Sequence, residues 1–233
     1  MTPATGPAGD PAGDLGAAGR AVVAAGRAAV AAGLSPGTSG NISVRDGDVV
    51  LMSPTGARLD ALTADSLSVL GLDGEPVAGP APSKERWLHR AMYRRDPAAR
   101  AVVHVHSPYA AAASCLPPWS PTSALAPLTP YFVMRVGQTP LVPYAAPGDR
   151  RQADTLESLE VPLRAALLQN HGPVVAGVDL DAAVDSAVEL EEAARLTVLL
   201  SPARPRTLTE GEVLELAERH GSPWTPSAGG HTS

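Results

Sequence analysis

Two histidines two residues apart, His104 and His106, are the first candidates for chemistry in this sequence. They end an apolar run that predicts a β-strand, and side chains at positions i and i+2 of a strand lie on one face. Two imidazoles on one face can ligate a single metal ion; the alternative is a pair of polar side chains at an exposed strand end. Ser107 and Pro108 follow directly, so the pair lies at the end of the strand, where α/β sheets commonly carry their sites.

A third histidine, His171, lies in a glycine-containing turn between two apolar segments, residues 165–168 and 173–176. A histidine in this position can simply stabilise the turn. Together with His104 and His106 it can instead complete a three-histidine site with open coordination positions. That is a catalytic geometry for Zn²⁺ or a similar divalent ion.

An acidic residue and a set of small polar residues are weaker candidates when judged by spacing alone. Glu85 stands at the start of a predicted helix, where an acidic side chain also complements the helix dipole. Residues 37–41 and the turn at Thr55 and Gly56 carry backbone N–H groups and hydroxyls that can bind an anion, or they form ordinary loops. Lys84 is the only lysine in the chain, so Schiff-base chemistry has one possible side chain.

Three other histidines carry weaker signals. His89 lies one helical turn after Glu85 and is expected to be a core or surface residue. His220 and His231 belong to the C-terminal region and are expected at the surface.

The composition is that of one globular domain with a sizeable core. The chain has 233 residues, 44% of them hydrophobic and 3% aromatic, with a net charge of −6. The negative charge and the few aromatic residues argue against nucleic-acid and anionic-membrane partners. Cys115 is the only cysteine, which excludes a disulfide framework. Without an apolar run long enough to span a bilayer or an N-terminal signal pattern, we expect a cytoplasmic protein.

Strand and helix signals alternate along the chain, which predicts an α/β fold. The predicted strands are residues 42–45, 49–52, 67–72, 101–106, 140–143, 165–169 and 174–176. The predicted helices are residues 15–32, 84–95 with Ser83 as N-cap, 108–114, 149–160, 179–200 with Asp179 as N-cap, and 209–219. Residues 115–130 are predicted to form a loop. Residues 1–14 and 221–233 are expected to be disordered or frayed tails, which leaves residues 15–220 as the domain.

Five motifs, taken in order, resemble those of the class II aldolase/adducin family. They are GTSGNIS (37–43), SPTG (53–56), PSKE (82–85), VVHVHS (102–107) and NHG (170–172). The resemblance extends from about residue 15 to about residue 200. It implies a three-layer α/β/α fold around a mixed, largely antiparallel sheet. It also implies an enzyme that is commonly a C4 homotetramer with sites at subunit interfaces.

The resemblance also implies a role for each matching residue. His104, His106 and His171 correspond to ligands of a divalent ion, usually Zn²⁺, although such a donor set also accepts Mn²⁺ or Co²⁺. Glu85 corresponds to the catalytic carboxylate, which can also ligate the resting metal, and Tyr131 to a proton donor. The phosphate-binding positions of the family correspond to Thr38, Gly40, Asn41, Thr55, Gly56 and Ser83.

Three features favour one branch of the family. Lys84 stands where sugar-phosphate aldolases usually carry a second serine, and residues 127–149 also differ from those aldolases. Both features, with residues 189–196, resemble decarboxylases of a phosphorylated four-carbon 3-oxo acid. Such a substrate carries one more negative charge than a sugar phosphate, which suits a lysine.

We therefore expect a metal-dependent carbon–carbon lyase that acts on a small phosphorylated sugar acid. Decarboxylation is the first expectation, and aldol cleavage of a sugar phosphate is the alternative. A non-catalytic adducin-like binding module is a further alternative. The presence of all three histidines and Glu85 argues against that last possibility.

Overall fold

The structure, a computed structural model, describes residues 11–226. The α-helices in this range are α1 (Pro11–Ala31), α2 (Arg86–Arg95), α3 (Pro108–Ala113), α4 (Pro130–Arg135), α5 (Arg150–Ser158), α6 (Leu180–Leu200) and α7 (Glu210–His220). The strands are β1 (Asn41–Asp46), β2 (Val49–Met52), β3 (Ser68–Gly71), β4 (Pro76–Ala78), β5 (Ala101–His104), β6 (Leu141–Val142), β7 (Ala165–Leu168) and β8 (Gly172–Gly177).

The eight strands form one sheet in the order β4-β3-β2-β1-β5-β8-β7-β6. Every neighbouring pair is antiparallel except β6 and β7, which are parallel. The sheet is therefore mixed and largely antiparallel, as predicted.

Helices cover both faces of the sheet, which confirms the three-layer architecture. On the face that we call the α6 face, Ile42, Val103 and Val175 pack in a core with residues of α1, α3 and α6. On the face that we call the α2 face, Met52 and Val102 pack with residues of α2 and α5. Successive side chains of the central strands alternate between these two cores because the side-chain period of a strand is two.

Local signals position most elements as expected. The two-residue turn at Gly47 and Asp48 joins β1 to β2, with Asp46 opposite Val49 and Gly47 at φ +57°. The Asp179 side chain accepts a hydrogen bond of 2.7 Å from Ala182 N and begins α6.

Several predicted bounds were wrong. Helix α1 begins at Pro11 rather than at residue 15, and β5 ends at His104 rather than at residue 106. The N-cap of α2 is Glu85, not Ser83, because residues 83–85 form a turn in which Ser83 Oγ accepts a 3.2 Å hydrogen bond from Glu85 N. Helix α4 and strand β4 were not predicted from the sequence. Strand β4 is a three-residue edge strand with every residue exposed, so it has no buried face to give an alternating pattern.

The expected tails fall largely outside the described part of the chain. Residues 1–10, residues 227–233 and therefore His231 lie outside it, and residues 222–226 are neither helix nor strand. The domain bounds at residues 15 and 220 stay a prediction. Between residues 11 and 226, none of the helices combines the length and the apolar character that crossing a bilayer requires.

Candidate metal centre

The three histidines singled out in the sequence lie together at one end of the central strands. His104 is the last residue of β5 and lies opposite Asn41 of β1 and Val174 of β8. His106 follows two residues later, and His171 occupies the turn between β7 and β8. The His106 Nε2 atom lies 3.2 Å from His104 Nε2 and 3.1 Å from His171 Nε2. The sheet therefore brings together ligand atoms from positions far apart in the chain.

Glu85 completes the cluster from the α2 side. As the N-cap of α2, it directs its carboxylate toward the end of β5. Its Oε2 atom lies 3.4 Å from His104 Nε2, and its Oε1 atom lies 3.5 Å from His171 Nε2. One candidate ligand atom from each of the four residues lies within 4.8 Å of the others.

Two glycines allow the neighbouring backbone to approach the end of β5 closely. A Cβ atom on Gly172 would lie 2.5 Å from the Val105 carbonyl oxygen. A Cβ atom on Gly40 would lie 2.9 Å from the His104 carbonyl oxygen, and Gly40 has φ +89°, which side-chain-bearing residues rarely adopt. The loop before β1 and the turn before β8 can therefore close around the histidines only with glycine at these positions.

The donor atoms have the arrangement that a divalent ion requires. The His104 Nδ1–H donates a 2.8 Å hydrogen bond to the Pro173 carbonyl oxygen, so the His104 Nε2 lone pair faces the cluster. A tetrahedral ion with Zn–N bonds of about 2.0–2.1 Å separates its nitrogen ligands by about 3.3 Å, close to the Nε2 separations seen here. Glu85 Oε1 is buried and has no hydrogen-bond partner within residues 11–226. Three imidazole nitrogens and one carboxylate oxygen therefore fit a divalent metal.

The ligands also hold the protonation states that metal binding needs. Burial, followed by the neighbouring His104, lowers the pKa of His106 to about 4 and that of His171 to about 4. Burial alone would raise the pKa of Glu85, but His104, His171 and the Asn41 amide together hold it below its usual range. Near neutral pH the imidazoles of His106 and His171 are thus neutral and the carboxylate is charged, so neither imidazole has to release a proton first.

A buried chain of polar side chains, which was not predicted from the sequence, continues from Glu85 into the α2 face. Asn41 Nδ2 donates a 2.8 Å hydrogen bond to Glu85 Oε2, and Asn41 Oδ1 lies 2.5 Å from His89 Nε2. The Ser43 hydroxyl lies 2.7 Å from His89 Nδ1 and 2.8 Å from the Tyr93 hydroxyl. Of the two places expected for His89, the structure selects the core. The available signals were the four-residue spacing from Glu85 to His89 and the shared strand face of residues 41 and 43.

Most of the predicted phosphate-binding residues lie beside the cluster or are tied to it. Asn41 contacts Glu85 directly, and Ser83 is buried in the turn that precedes α2. Backbone hydrogen bonds from Ser83 N to the Ser53 carbonyl (3.3 Å) and from Thr55 N to the Ala81 carbonyl (3.1 Å) join the turn at residues 53–56 to the segment before Glu85. The remaining members are Gly40, which touches the end of β5, Gly56, which has φ +71°, and the exposed Thr38.

Lys84 and Tyr131 differ in their relation to the cluster. Lys84 is exposed next to Glu85, and its aliphatic stem packs against Gly148, where a Cβ atom would lie 3.1 Å away. Tyr131, in the first turn of α4, is 56% exposed, and its ring centre lies 5.7 Å from the Arg135 guanidinium carbon. Within residues 11–226 of one chain, no hydrogen bond or ion pair joins Tyr131 to the cluster.

The sequence matches the Class II Aldolase and Adducin N-terminal domain over residues 20–198, which is more than half of the chain. This protein belongs to that family. Class II aldolases use a divalent metal, and the Glu85–His104–His106–His171 cluster could bind one.

Named relatives within the family give a finer comparison. A 3-oxo-tetronate 4-phosphate decarboxylase of Pectobacterium atrosepticum is 46% identical over 182 residues, which are 78% of this chain and 84% of that protein. An L-fuculose phosphate aldolase of Escherichia coli is 32% identical over 191 residues, which are 80% of this chain and 86% of that protein. The crystal structure of YgbL from Klebsiella pneumoniae superposes with a TM-score of 0.82 at 44% identity, covering 87% of this chain and 98% of that one.

Proposed function

We propose that this class II aldolase family member decarboxylates 3-oxo-tetronate 4-phosphate to dihydroxyacetone phosphate and CO₂. The observation that carries the proposal is the largely buried cluster of Glu85 with three histidines whose Nε2 atoms face one another. The 46% identity to a relative of that name gives the substrate. This reaction makes the chain a carboxy-lyase.

The chemistry requires one bond to break and one to form. The bond between C1 and C2 of the substrate breaks and CO₂ departs. The electron pair of the broken bond stays on C2 and is delocalised toward the C3 oxygen, which gives an enediolate. A proton is then added at C2, so the reaction consumes one proton overall. A divalent ion held by His104, His106 and His171, with Glu85 as a further ligand in the resting state, would supply the positive charge that stabilises the enediolate oxygens.

Glu85 is the group that we assign to proton handling. Its carboxylate is 6% exposed and lies within 4.8 Å of the candidate ligand atoms of the three histidines, so it would lie beside a substrate bound there. It accepts a proton from solvent and delivers it at C2. In the related aldol cleavage, the same carboxylate would instead accept a proton from a substrate hydroxyl.

Substrate binding falls to the residues around Glu85. We assign the phosphate to the backbone N–H groups and hydroxyls of Thr38, Gly40, Asn41, Thr55, Gly56 and Ser83. Lys84 supplies a positive charge beside the cluster for the second anionic group of the substrate. Lys84→Ala should raise KM without loss of metal affinity, and loss of the metal in that variant would contradict this role.

Three finer assignments complete the proposal. We assign Zn²⁺ as the resident ion, with Mn²⁺ and Co²⁺ as ions that the same donor set accepts. We propose a cytoplasmic homotetramer in which Tyr131, exposed on its own chain, acts as an acid in the site of a neighbouring subunit. Size-exclusion chromatography with light scattering tests the assembly, and a monomer would remove this role of Tyr131.

One experiment tests the reaction. Metal-loaded protein is incubated with 3-oxo-tetronate 4-phosphate while CO₂ and dihydroxyacetone phosphate are measured, with L-fuculose 1-phosphate in a parallel assay. Release of CO₂ that a chelator abolishes and added metal restores is the expected result. Silence toward both substrates, with metal bound, would contradict both lyase activities.

Aldol cleavage is the second candidate because the L-fuculose phosphate aldolase relative is 32% identical over 80% of this chain. Both reactions pass through the same enediolate and differ in the group that leaves. Aldehyde release from L-fuculose 1-phosphate without CO₂ release from the acid would favour the aldolase.

A further inference from the structure

We propose that His89 is a positioning residue that fixes the orientation of the Asn41 amide and, through it, the carboxylate of Glu85. The inference deepens the proposed function, because Glu85 is the proton-handling group there. His89 does not touch the cluster itself, and its effect passes through Asn41.

The hydrogen bonds form one unbranched chain. Tyr93 and Ser43 are linked at 2.8 Å, Ser43 and His89 at 2.7 Å, and His89 and Asn41 at 2.5 Å. The last link, from Asn41 to Glu85, is 2.8 Å long. All five side chains belong to β1 or to the segment 85–93, so two packed elements hold the chain.

The charge of Glu85 sets the direction of donation along this chain. An ionised carboxylate only accepts hydrogen bonds, so the Asn41 group that faces Glu85 must be the NH₂. The Asn41 oxygen then faces His89, and His89 Nε2 must carry a proton to donate to it. Burial, followed by His104, lowers the pKa of His89 to about 3, so the ring is neutral and its Nδ1 atom is an acceptor.

The hydroxyl groups of Ser43 and Tyr93 continue the same direction of hydrogen-bond donation. Ser43 must donate to His89 Nδ1, and Tyr93 must then donate to the Ser43 oxygen. A rotated Asn41 amide would place two oxygens against each other at Glu85 and two N–H groups against each other at His89. His89 thus selects one of the two orientations of Asn41, and that orientation places a donor on Glu85 Oε2.

The polar side chains of this hydrogen-bonded chain are buried, and burying polar groups costs free energy of folding. His89 is 1% exposed, Ser43 is fully buried, and Asn41 is 3% exposed. Buried polar groups destabilise a fold unless each one is hydrogen-bonded. The neighbouring helix residues Leu88, Ala91 and Met92 fill the same face with apolar atoms. Apolar packing is therefore available at this interface, and the polar chain is confined to the path that leads to Glu85.

The variants are chosen to separate positioning from packing. His89→Leu removes both hydrogen bonds, whereas His89→Gln retains an amide that can donate to Asn41 and accept from Ser43. Met92→Ala is the matched control, because Met92 is 1% exposed on the same helix and lies outside the polar chain. For each protein we would measure Zn²⁺ affinity by chelator competition, thermal unfolding, and kcat and KM separately.

We expect His89→Leu to weaken Zn²⁺ binding and to lower kcat by about 10–100-fold, the usual effect of removing an outer-shell partner. KM should change less than threefold. His89→Gln should restore both quantities to within about threefold of the original protein. Met92→Ala should lose thermal stability but keep Zn²⁺ affinity and kcat. Equal Zn²⁺ affinities and kcat values in His89→Leu and Met92→Ala would overturn the proposal.

A measurement on the unaltered, metal-free protein covers the case in which His89→Leu does not fold. Nitrogen-15 NMR of the imidazoles at neutral pH should show His89 as the tautomer protonated at Nε2. A proton on Nδ1 would overturn the proposal, because His89 could then not donate to Asn41. The NMR and Zn²⁺ measurements decide this inference even if the protein fails to release CO₂, which would count against the proposed function alone.

Discussion

Both faces of the central sheet carry apolar cores, but strand β1 contributes apolar side chains to one face and polar side chains to the other. On the α6 face, strand β1 contributes Ile42 and Val44, which pack against apolar residues of neighbouring strands and helices. On the α2 face, the same strand contributes Asn41 and Ser43, which are as deeply buried but take part in the polar chain to Glu85. One strand thus supplies a dry core with one set of side chains and supports the metal centre with the other.

The difference between the two sets of side chains is one of energetic cost. Apolar burial on the α6 face stabilises the molecule at about 25 cal/mol per Å² and demands no particular hydrogen-bond direction. The α2 face must match every donor with an acceptor, and a partly satisfied network is worse than an apolar one. We infer that the α6 face serves stability, whereas the polar path of the α2 face serves the orientation of Glu85.

The largest expected effect is on catalysis at the α2 face. Glu85→Gln removes the proton-handling carboxylate, and we expect kcat/KM to fall by about 10²–10⁴-fold. Circular dichroism and thermal unfolding should show that the variant stays folded. Turnover at the original rate would remove Glu85 from the mechanism and erase the contrast between the two faces.

The opposite pattern is expected on the α6 face. Leu190 is fully buried in α6, and Leu190→Ala should lower the free energy of unfolding by about 2–5 kcal/mol through lost burial and a cavity. Zn²⁺ affinity and kcat of the folded fraction should stay unchanged. Denaturant unfolding and chelator competition measure the two quantities, and a parallel loss of both would show that the faces are not independent.

Lowering the pH should reduce the free energy of unfolding through His89 on the α2 face. Its pKa is about 3 in the folded protein because of burial and then His104, with Glu85 acting in the opposite direction, against about 6.5 when unfolded. The unfolded chain therefore binds a proton first as the pH falls, so this contribution to stability is present above pH 6.5 and is lost toward pH 3. His89→Gln removes it.

Between pH 7 and pH 4.5, metal-free protein should lose about 2–3 kcal/mol more unfolding free energy than the His89→Gln variant. Urea titrations of both proteins at each pH measure the difference. If the free energy of unfolding fell equally with pH in both proteins, the His89 imidazole would take up its proton in the folded state as readily as in the unfolded chain.

The smallest effect is expected at the far end of the polar chain. Tyr93→Phe removes the hydroxyl that donates to Ser43, and should cost about 0.5–1.5 kcal/mol of stability. Ser43 keeps its bond to His89, so Zn²⁺ affinity should change less than twofold. A loss of Zn²⁺ affinity as large as that of His89→Leu would show that Tyr93 also determines the direction of hydrogen-bond donation along the polar chain.

The convergence of the three histidines could be predicted from the sequence because their spacing has a direct geometric meaning. The sequence predicts that His104 and His106 share a strand face; β5 in fact ends at His104, but His106 follows directly and still lies beside it. His171 lies in a glycine-containing turn, so a three-histidine cluster could be expected from local rules. Glu85 is different, because a glutamate at a helix start has an ordinary explanation in the helix dipole. Its assignment came from the family resemblance, and the structure places it in the cluster.

The parts that the sequence did not predict depend on tertiary contacts. The polar alternation of Asn41 and Ser43 is also what a solvent-facing strand shows, and only the packing of α2 reveals that it is buried. The contacts of His89 with both of those strand residues likewise depend on the packing of α2 against β1. Helix α4 did carry local signals, since Thr129 accepts a 3.2 Å hydrogen bond from Phe132 N and Pro130 occupies the first turn, but the proline-rich segment before it obscured them.

The register of the central strands also has a consequence for folding. His104 pairs with Asn41 on one side and with Val174 on the other, so the cluster with its Asn41–Glu85 contact exists only after β1, β5 and β8 have joined. These pairings are remote in sequence, and contacts of that kind form late because loop closure must come first. A metal ion therefore has no assembled site in the unfolded chain and acts on the finished fold. At a free concentration 100 times its Kd, it would raise the free energy of unfolding by about 2.7 kcal/mol.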